Sequence, residues 1–347
     1  MLYSNLPRRE AKSSATGAAV QLWDDALAPV ASLAQEIEQH AVEIARGAGR
    51  ILAGHFGRPI TVEFKDEHER DPVTAADKEA QEYLTAEIVK RFPEHGVLGE
   101  EGTEEEKESE APAKDILWVL DPLDGTTNFM NGLPVFASSI GVLYRGWPMA
   151  AALYVPWPNS EGGFVLHCRK GGGCFADDEP VSVYESEEPV PNRLIGVPGY
   201  FGVGQRFTGG LAGKAGEVRT TGSIAYELAM TARGVLQYAV FGAPRLWDMA
   251  GGALAVVEAG GTVMTRFRGE KRWHPMGCLV PSWEEKTPTM KELRGWTAPL
   301  VAGNQKVAPM IAENVKHRFS LSAQFRKLTR PLRRRKKKPE PNSASHT

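Results

Sequence analysis

The chain has 347 residues, 42% hydrophobic and 24% charged, with a formal net charge of −2, the composition of an ordinary globular protein with one large core or two coupled domains. No apolar stretch approaches the roughly 20 residues that a membrane-crossing helix needs, and the first residues lack the apolar segment of a secretory signal. Three cysteines (Cys168, Cys174, Cys278) with no CxxC pair argue against a disulfide framework or a thiolate metal site, and predict a reducing, cytoplasmic setting.

Residues 1–30 read as a weakly ordered leader. Over 31–56, Leu33, Ile37, Ala41, Ile44, Ala48 and Ile51 recur at helical spacing. A second helix is expected in 71–93, with Thr74-x-x-Asp77 shaped like a capping box and Pro93 as its stop. The acidic run 100–115 reads as a loop. The apolar run 116–120 is a strand, and 135–144 and 148–156 are two more, separated by the turn Arg145-Gly146. Short strand-like runs follow over 163–184, broken at Gly171-Gly172-Gly173.

Beyond about residue 190 strands and helices alternate. Strands are expected within 193–199, 217–222, 235–241, 262–267 and 298–303. A helix over 223–234 has Ser223 as its N-cap and Gly234 as its stop; another spans 248–261 with Asp248 at its start, and a last one lies within 304–315. The division suggests an N-terminal α+β subdomain over 31–188, a C-terminal α/β subdomain over 189–318 and a tail over 319–347. Nine basic residues and no acid lie between Arg326 and Lys338, leaving residues 1–325 with 32 basic and 42 acidic residues. Such a block reads as disordered and solvated, or as weak attachment to nucleic acid or an anionic membrane.

The segment "DPLDGTTNF", residues 121–129, follows the strand at 116–120 and carries two carboxylates three positions apart. Asp121, Asp124 and the Leu123 carbonyl offer three oxygen donors, the ligand type of hard cations such as Mg²⁺. Gly125 allows close backbone approach, and free N–H groups near Thr126 suit an anion. The plainer alternative is a turn in which Asp124 caps the next helix. Glu100 and Glu101 follow another short apolar run, and Asp248 and Asp77 stand at expected helix starts, where each is also a plausible cap. Acids without a His or Cys cluster suit Mg²⁺ better than zinc. A D-x-D-G-T phosphatase turn is absent because Pro122 stands two residues before Asp124, and no GxSxG, HExxH or GxxxxGK[ST] occurs.

"GEEG", "WVLDPLDGTTNF" and "LWDMAGGALAVVEAGG", with "DPVTAADKEAQ" before them and "VAGN" near the end, resemble the signatures of the Mg²⁺-dependent, lithium-sensitive inositol monophosphatase family, over roughly residues 35–315. The resemblance implies a layered αβαβα fold of mixed α+β and α/β character, and a cytoplasmic homodimer. It implies two or three Mg²⁺ ions: Glu100, Asp121 and the Leu123 carbonyl as ligands of one, Asp121, Asp124 and Asp248 of a second. Thr126 and Asp77 would orient and deprotonate a metal-bound water, with Glu100 in the same catalytic group. Leu123, Asp124, Gly125, Thr126, Gly222, Ser223, Ile224 and Asp248 would meet the substrate. Lys65 matches a family lysine only loosely, because an apparent one-residue insertion precedes Asp71.

The expected activity is hydrolysis of a small polyol or sugar phosphate of the inositol 1-phosphate type. Histidinol phosphate, fructose 1,6-bisphosphate and 3′-phosphonucleotides are alternative substrates, and an RNA- or membrane-associated regulatory role is an alternative of another class. Where inositol phosphatases carry a glutamate seven residues before the WD aspartate, this chain has Phe241, which cannot accept hydrogen bonds from inositol hydroxyls and reads equally as the last core residue of a strand.

Overall fold

The computed structural model of the protein describes residues 21–59, 62–64, 72–103, 105 and 108–317. Lys65, Asp71 and the basic run 326–338 lie outside the described residues.

Two sheets carry the fold. The first runs in spatial order through β1 (Gly96–Gly99), β2 (Ile116–Asp124), β3 (Ala137–Tyr144), β4 (Trp147–Pro156), β5 (Gly163–Arg169), β6 (Cys174–Ala176) and β7 (Glu179–Pro180). β1 and β2 are parallel, and every later neighbour is antiparallel. The second sheet contains β8 (Leu194–Gly196), β9 (Glu217–Arg219), β10 (Leu236–Phe241), β11 (Thr262–Thr265), β12 (His274–Pro275) and β13 (Leu300–Gly303), in the spatial order β9-β8-β10-β13-β11-β12. β8 is parallel to both β9 and β10, so three neighbouring strands send their carboxyl ends to one edge.

Helices α1 (Ala31–His55) and α2 (Ala75–Arg91) cover the outer face of the first sheet. A short helix, α3 (Thr126–Met130), follows β2. Helices α4 (Ile224–Ala232) and α5 (Leu246–Glu258) lie between the sheets, and α6 (Val307–Asn314) covers the far face of the second. This is the expected αβαβα layering. The stripe Ile37, Ala41, Ile44 and Ala48 of α1 is buried, because a 3.6-residue repeat aligns these positions on one face.

Two expectations change. Residues 21–30 are helical rather than weakly ordered: Trp23 is buried and its indole N–H donates to the Pro148 carbonyl at 2.8 Å. The second expected helix begins only at Ala75, because Pro72–Thr74 pairs as a strand with Val62–Phe64.

The helix α5 approaches β3 almost backbone to backbone. A Cβ added at Gly141 would fall 2.7 Å from the Gly251 nitrogen, and one added at Gly251 would fall 2.8 Å from the Ile140 carbonyl oxygen. Only glycine permits that spacing, and it fixes the start of α5, with Asp248, against the sheet.

Candidate active site

β2 does not stop at Leu120, as its apolar run suggested, but continues to Asp124. Asp121 pairs with Ser139 and Asp124 with Ala137, and the register shifts between them. Pro122 has no N–H to give the ladder, so the strand bulges there and resumes. In a regular strand, residues three apart face opposite sides. The extra residue restores Asp121 and Asp124 to one face, because their partners Ser139 and Ala137 are two apart.

Each acid is held by a different element. Asp121 is buried and its Oδ1 accepts from the Leu123 N–H at 3.1 Å. Asp124 Oδ2 accepts from Ser223 Oγ at 2.8 Å and from the Ala225 N–H at the start of α4. The alternative in which Asp124 caps the helix after it is therefore corrected: the N-cap of α3 is Gly125, at φ +95°, with no side-chain cap. Asp124 instead supports the amino end of a helix that starts a hundred residues further along the chain.

Asp248 is likewise not the first residue of its helix. α5 begins at Leu246, and Asp248, in its first turn, accepts from the Arg245 N–H at 2.7 Å. Ser223 is the N-cap of α4, its Oγ accepting from the Tyr226 N–H at 3.2 Å, and Gly234 follows the helix at φ +68°.

Asp77 completes the capping box of α2, with Thr74 N–H and Oγ both donating to its Oδ2. Its other oxygen faces Thr126, whose hydroxyl lies 3.1 Å from Asp77 Oδ1 and 3.0 Å from the Leu123 carbonyl oxygen. Thr126, Asp77 and Leu123 thus meet, although 49 residues separate the first two. Glu100 follows β1; its N–H donates to the Leu120 carbonyl, and its side chain hydrogen-bonds Asp121. Gly222, Ser223 and Ile224 lie at the amino end of α4, next to Asp124.

Two residues of this neighbourhood were missed in the sequence. Asn128 donates from its amide to the carbonyls of Val135 and Thr221, both at 2.7 Å, tying the loop after α3 to the loop before α4. Glu227 is buried in α4 and accepts from Thr221 N–H and Oγ. An acid inside the apolar run "IAYELAMTA" is the signal that could have found it. Phe241 is buried as the last residue of β10, as its core reading anticipated.

Among the described residues the electrostatics are those of acids crowded together, with Arg245 the one cation acting on Asp248. Burial raises Asp121 well above the usual carboxylate range, and Glu100, Asp124 and Asp248 add to the shift. Burial likewise raises Asp124, with Asp248 adding and the Ala225 and Ser223 hydrogen bonds opposing. Asp248 is pushed up to about 7 by burial, against the Arg245 N–H bond. Asp77 is raised by burial despite its Thr74 and Thr126 bonds. Like charges desolvated together disfavour ionisation, and a divalent cation reverses that preference. The donor set, four carboxylates and a carbonyl with no imidazole or thiolate, fits a hard oxygen-seeking cation. Among the described residues no three acidic, His or Cys side chains already converge as a closed cation shell. A cavity of about 770 Å³ lined by Lys78, Gln81, Gly99, Glu101 and Arg294 opens beyond Glu100, and none of Asp121, Asp124 and Asp248 lines it.

The chain matches the family model described as "Inositol monophosphatase family" over residues 33–298. It is 32% identical over 232 residues to the Thermotoga maritima "Fructose-1,6-bisphosphatase/inositol-1-monophosphatase", covering 67% of this chain and 85% of that protein. It is 34% identical over 246 residues to "Nus factor SuhB" of Escherichia coli K12, covering 69% and 88%. The solved structure of a Thermotoga maritima IMPase superposes with a TM-score of 0.60 at 26% identity, covering 78% and 93% of the two chains. On the family match, these relatives and the shared fold, the chain belongs to the inositol monophosphatase family.

Proposed function

We propose that this chain is a Mg²⁺-dependent phosphatase that hydrolyses the phosphate monoester of a small polyol or sugar. The observation that carries this reading is the clustering of Asp121, Asp124, Asp248 and Glu100, mutually repelling and at least partly buried, beside the Thr126–Asp77 pair. Inositol monophosphatase family proteins use Mg²⁺ as a general rule. Glu100, Asp121 and the Leu123 carbonyl would hold one ion; Asp121, Asp124 and Asp248 would hold another. Bound there, Mg²⁺ supplies positive charge to the phosphate oxygens and lowers the pKa of water.

The remaining work falls to the chain. The amides of Gly125 and Thr126 would hold phosphate oxygens, and the Gly222–Ile224 segment would border the ester. Thr126 Oγ1 lies between the Leu123 carbonyl and Asp77, and on this reading it would orient the attacking water and pass its proton to Asp77. Phosphoryl transfer depends mainly on positioning and charge, so no covalent nucleophile is required.

A phosphate-release panel with and without Mg²⁺ tests this reading, using inositol 1-phosphate, fructose 1,6-bisphosphate, histidinol phosphate and a 3′-phosphonucleotide. Mg²⁺-dependent release from at least one polyol or sugar ester is expected, and none from any of them would refute it. A regulatory role beside catalysis is favoured by the relatives named "Nus factor SuhB". RNA binding by the full chain and by a chain ending near Arg326, at two salt concentrations, tests whether the basic run contributes.

A further inference from the structure

The three parallel strands β9, β8 and β10 end at one edge of the second sheet, the edge where open α/β sheets hold ligands. The loop after β9 carries Thr220 to Ser223 and reaches Asp124. That after β10 runs from Gly242 to Arg245 and delivers Asp248 at the start of α5. The third, after β8, holds no candidate catalytic group, but it carries Tyr200.

Tyr200 is placed across this edge. Its chain neighbour Gly199 packs near Thr220, where a Cβ would lie 3.6 Å from the Thr220 methyl, and Thr220 Oγ1 donates to the Val197 carbonyl at 3.0 Å. At the other end, the Tyr200 hydroxyl covers Gly242: a Cβ added there would fall 1.4 Å from Tyr200 Oη. The ring thus extends from the loop of β8 to the loop of β10. It is 49% exposed, and no described residue hydrogen-bonds its hydroxyl. A large, half-exposed aromatic whose hydroxyl has no partner among the described residues, held over this edge, offers an amphipathic surface to a ligand. Phe241, in contrast, is the buried last residue of β10.

We propose that Tyr200 is a specificity-determining residue that contacts the alcohol half of the substrate, a cyclic polyol or sugar, through its ring face and hydroxyl. This rests on the phosphatase reading. With the phosphate held near Asp124 and Asp248, the ester's alcohol extends over the loop ends and meets Tyr200. The flat face suits the C–H side of a ring, and the hydroxyl suits one ring hydroxyl; an acyclic alcohol uses neither fully.

The test compares Mg²⁺-dependent kcat and KM for inositol 1-phosphate and for glycerol 2-phosphate, in wild type, Tyr200→Ala, Tyr200→Phe and Gly242→Ala. In Tyr200→Ala the ratio of kcat/KM for the cyclic ester to that for the acyclic ester falls roughly 10-fold or more, mainly through KM. Tyr200→Phe, which loses only the hydroxyl, lowers the ratio by about 3-fold. The added methyl of Gly242→Ala displaces the ring and reproduces the Tyr200→Ala pattern, and the double variant shows no further loss. An unchanged ratio in Tyr200→Ala, or an equal fall for both esters, overturns the proposal. Where another cyclic ester of the panel is the better substrate it replaces inositol 1-phosphate in this comparison, and a wild type that hydrolyses no polyol or sugar ester overturns the phosphatase reading instead, and the inference falls with it.

Discussion

Two groups of buried acids in this molecule are treated in opposite ways. On the outer side of the first sheet, Glu38 of α1 bonds His167 Nδ1 at 2.8 Å and Arg169 Nη1 at 2.6 Å. Burial alone would raise its pKa, but the two partners outweigh burial and lower it. Across the sheet, Asp121 is buried and Asp124 and Asp248 are partly buried, no hydrogen-bonded cationic side chain pairs with them among the described residues, and all three are raised. The fold supplies the counter-charge for Glu38; on the proposed reading, that of the aspartates would come from a bound cation. An acid whose desolvation is not compensated within the chain marks the functional site; a compensated one marks structure.

The sharpest way to break that contrast is to remove one aspartate. Asp124→Asn or Asp248→Asn should lower Mg²⁺-dependent phosphate release by about 10²-fold or more, measured as kcat/KM on the best substrate of the panel. Near wild-type turnover in either variant would remove both from the proposed ion-holding set.

Next comes pH in the absence of metal. The aspartate pKa values are higher folded than unfolded, so between the ordinary 3.8 and the Asp248 value of about 7 the folded state binds more protons. Metal-free stability therefore falls as pH rises through that window, by an amount on the order of 4 kcal/mol from Asp248 alone. Thermal melts in chelator should show the decline, and saturating Mg²⁺ should remove most of it. A metal-free Tm that rises over the same window would contradict the assignment of uncompensated charge.

The compensated group should respond differently. Glu38→Ala should cost about 3 kcal/mol by leaving the His167 and Arg169 cations unpaired, read as a lowered urea midpoint, with Mg²⁺-dependent turnover of the folded fraction retained. Burial disfavours the His167 cation, but its bonds to Glu38 and the Asp177 carbonyl raise its pKa on balance. Its contribution is full below the ordinary 6.5 and is lost as pH rises through the raised value. Melts in excess Mg²⁺ should thus decline above that point in wild type and flatten in Glu38→Ala. The smallest effect belongs to Ser223→Ala, about 1 kcal/mol for a lost N-cap, accompanied by a measurable loss of Mg²⁺ affinity because Asp124 loses a donor.

Much of the scaffold was legible in the sequence, because its signals are local. The apolar repeat of α1, the Thr74–Asp77 box and the Ser223 and Gly234 boundaries of α4 all depend on residues within a few positions of one another. The site was legible as a set of acids but not as an arrangement. The continuation of β2 through Pro122 depends on a partner strand long enough to pair beyond the bulge. Asp124 holds the amino end of α4 rather than its neighbour α3, a choice made by packing between distant elements. Asp248 begins no helix, because Leu246 and Trp247 already turn before it. Asn128 joins two loops that only the folded chain brings together.

The contact of Gly141 with Gly251 has a consequence for motion. Side chains between a helix and a sheet act as a compliant layer that can shear by changing rotamers; here that layer is missing, and main chain rests on main chain. At that crossing α5 and the first sheet have little room to shear, which would keep Asp248 in step with Asp121 and Asp124. If the proposed phosphatase reading holds, adaptation to different alcohols would fall to the three loops at the carboxyl ends of β8, β9 and β10, so the chemistry would stay constant while the choice of substrate drifts.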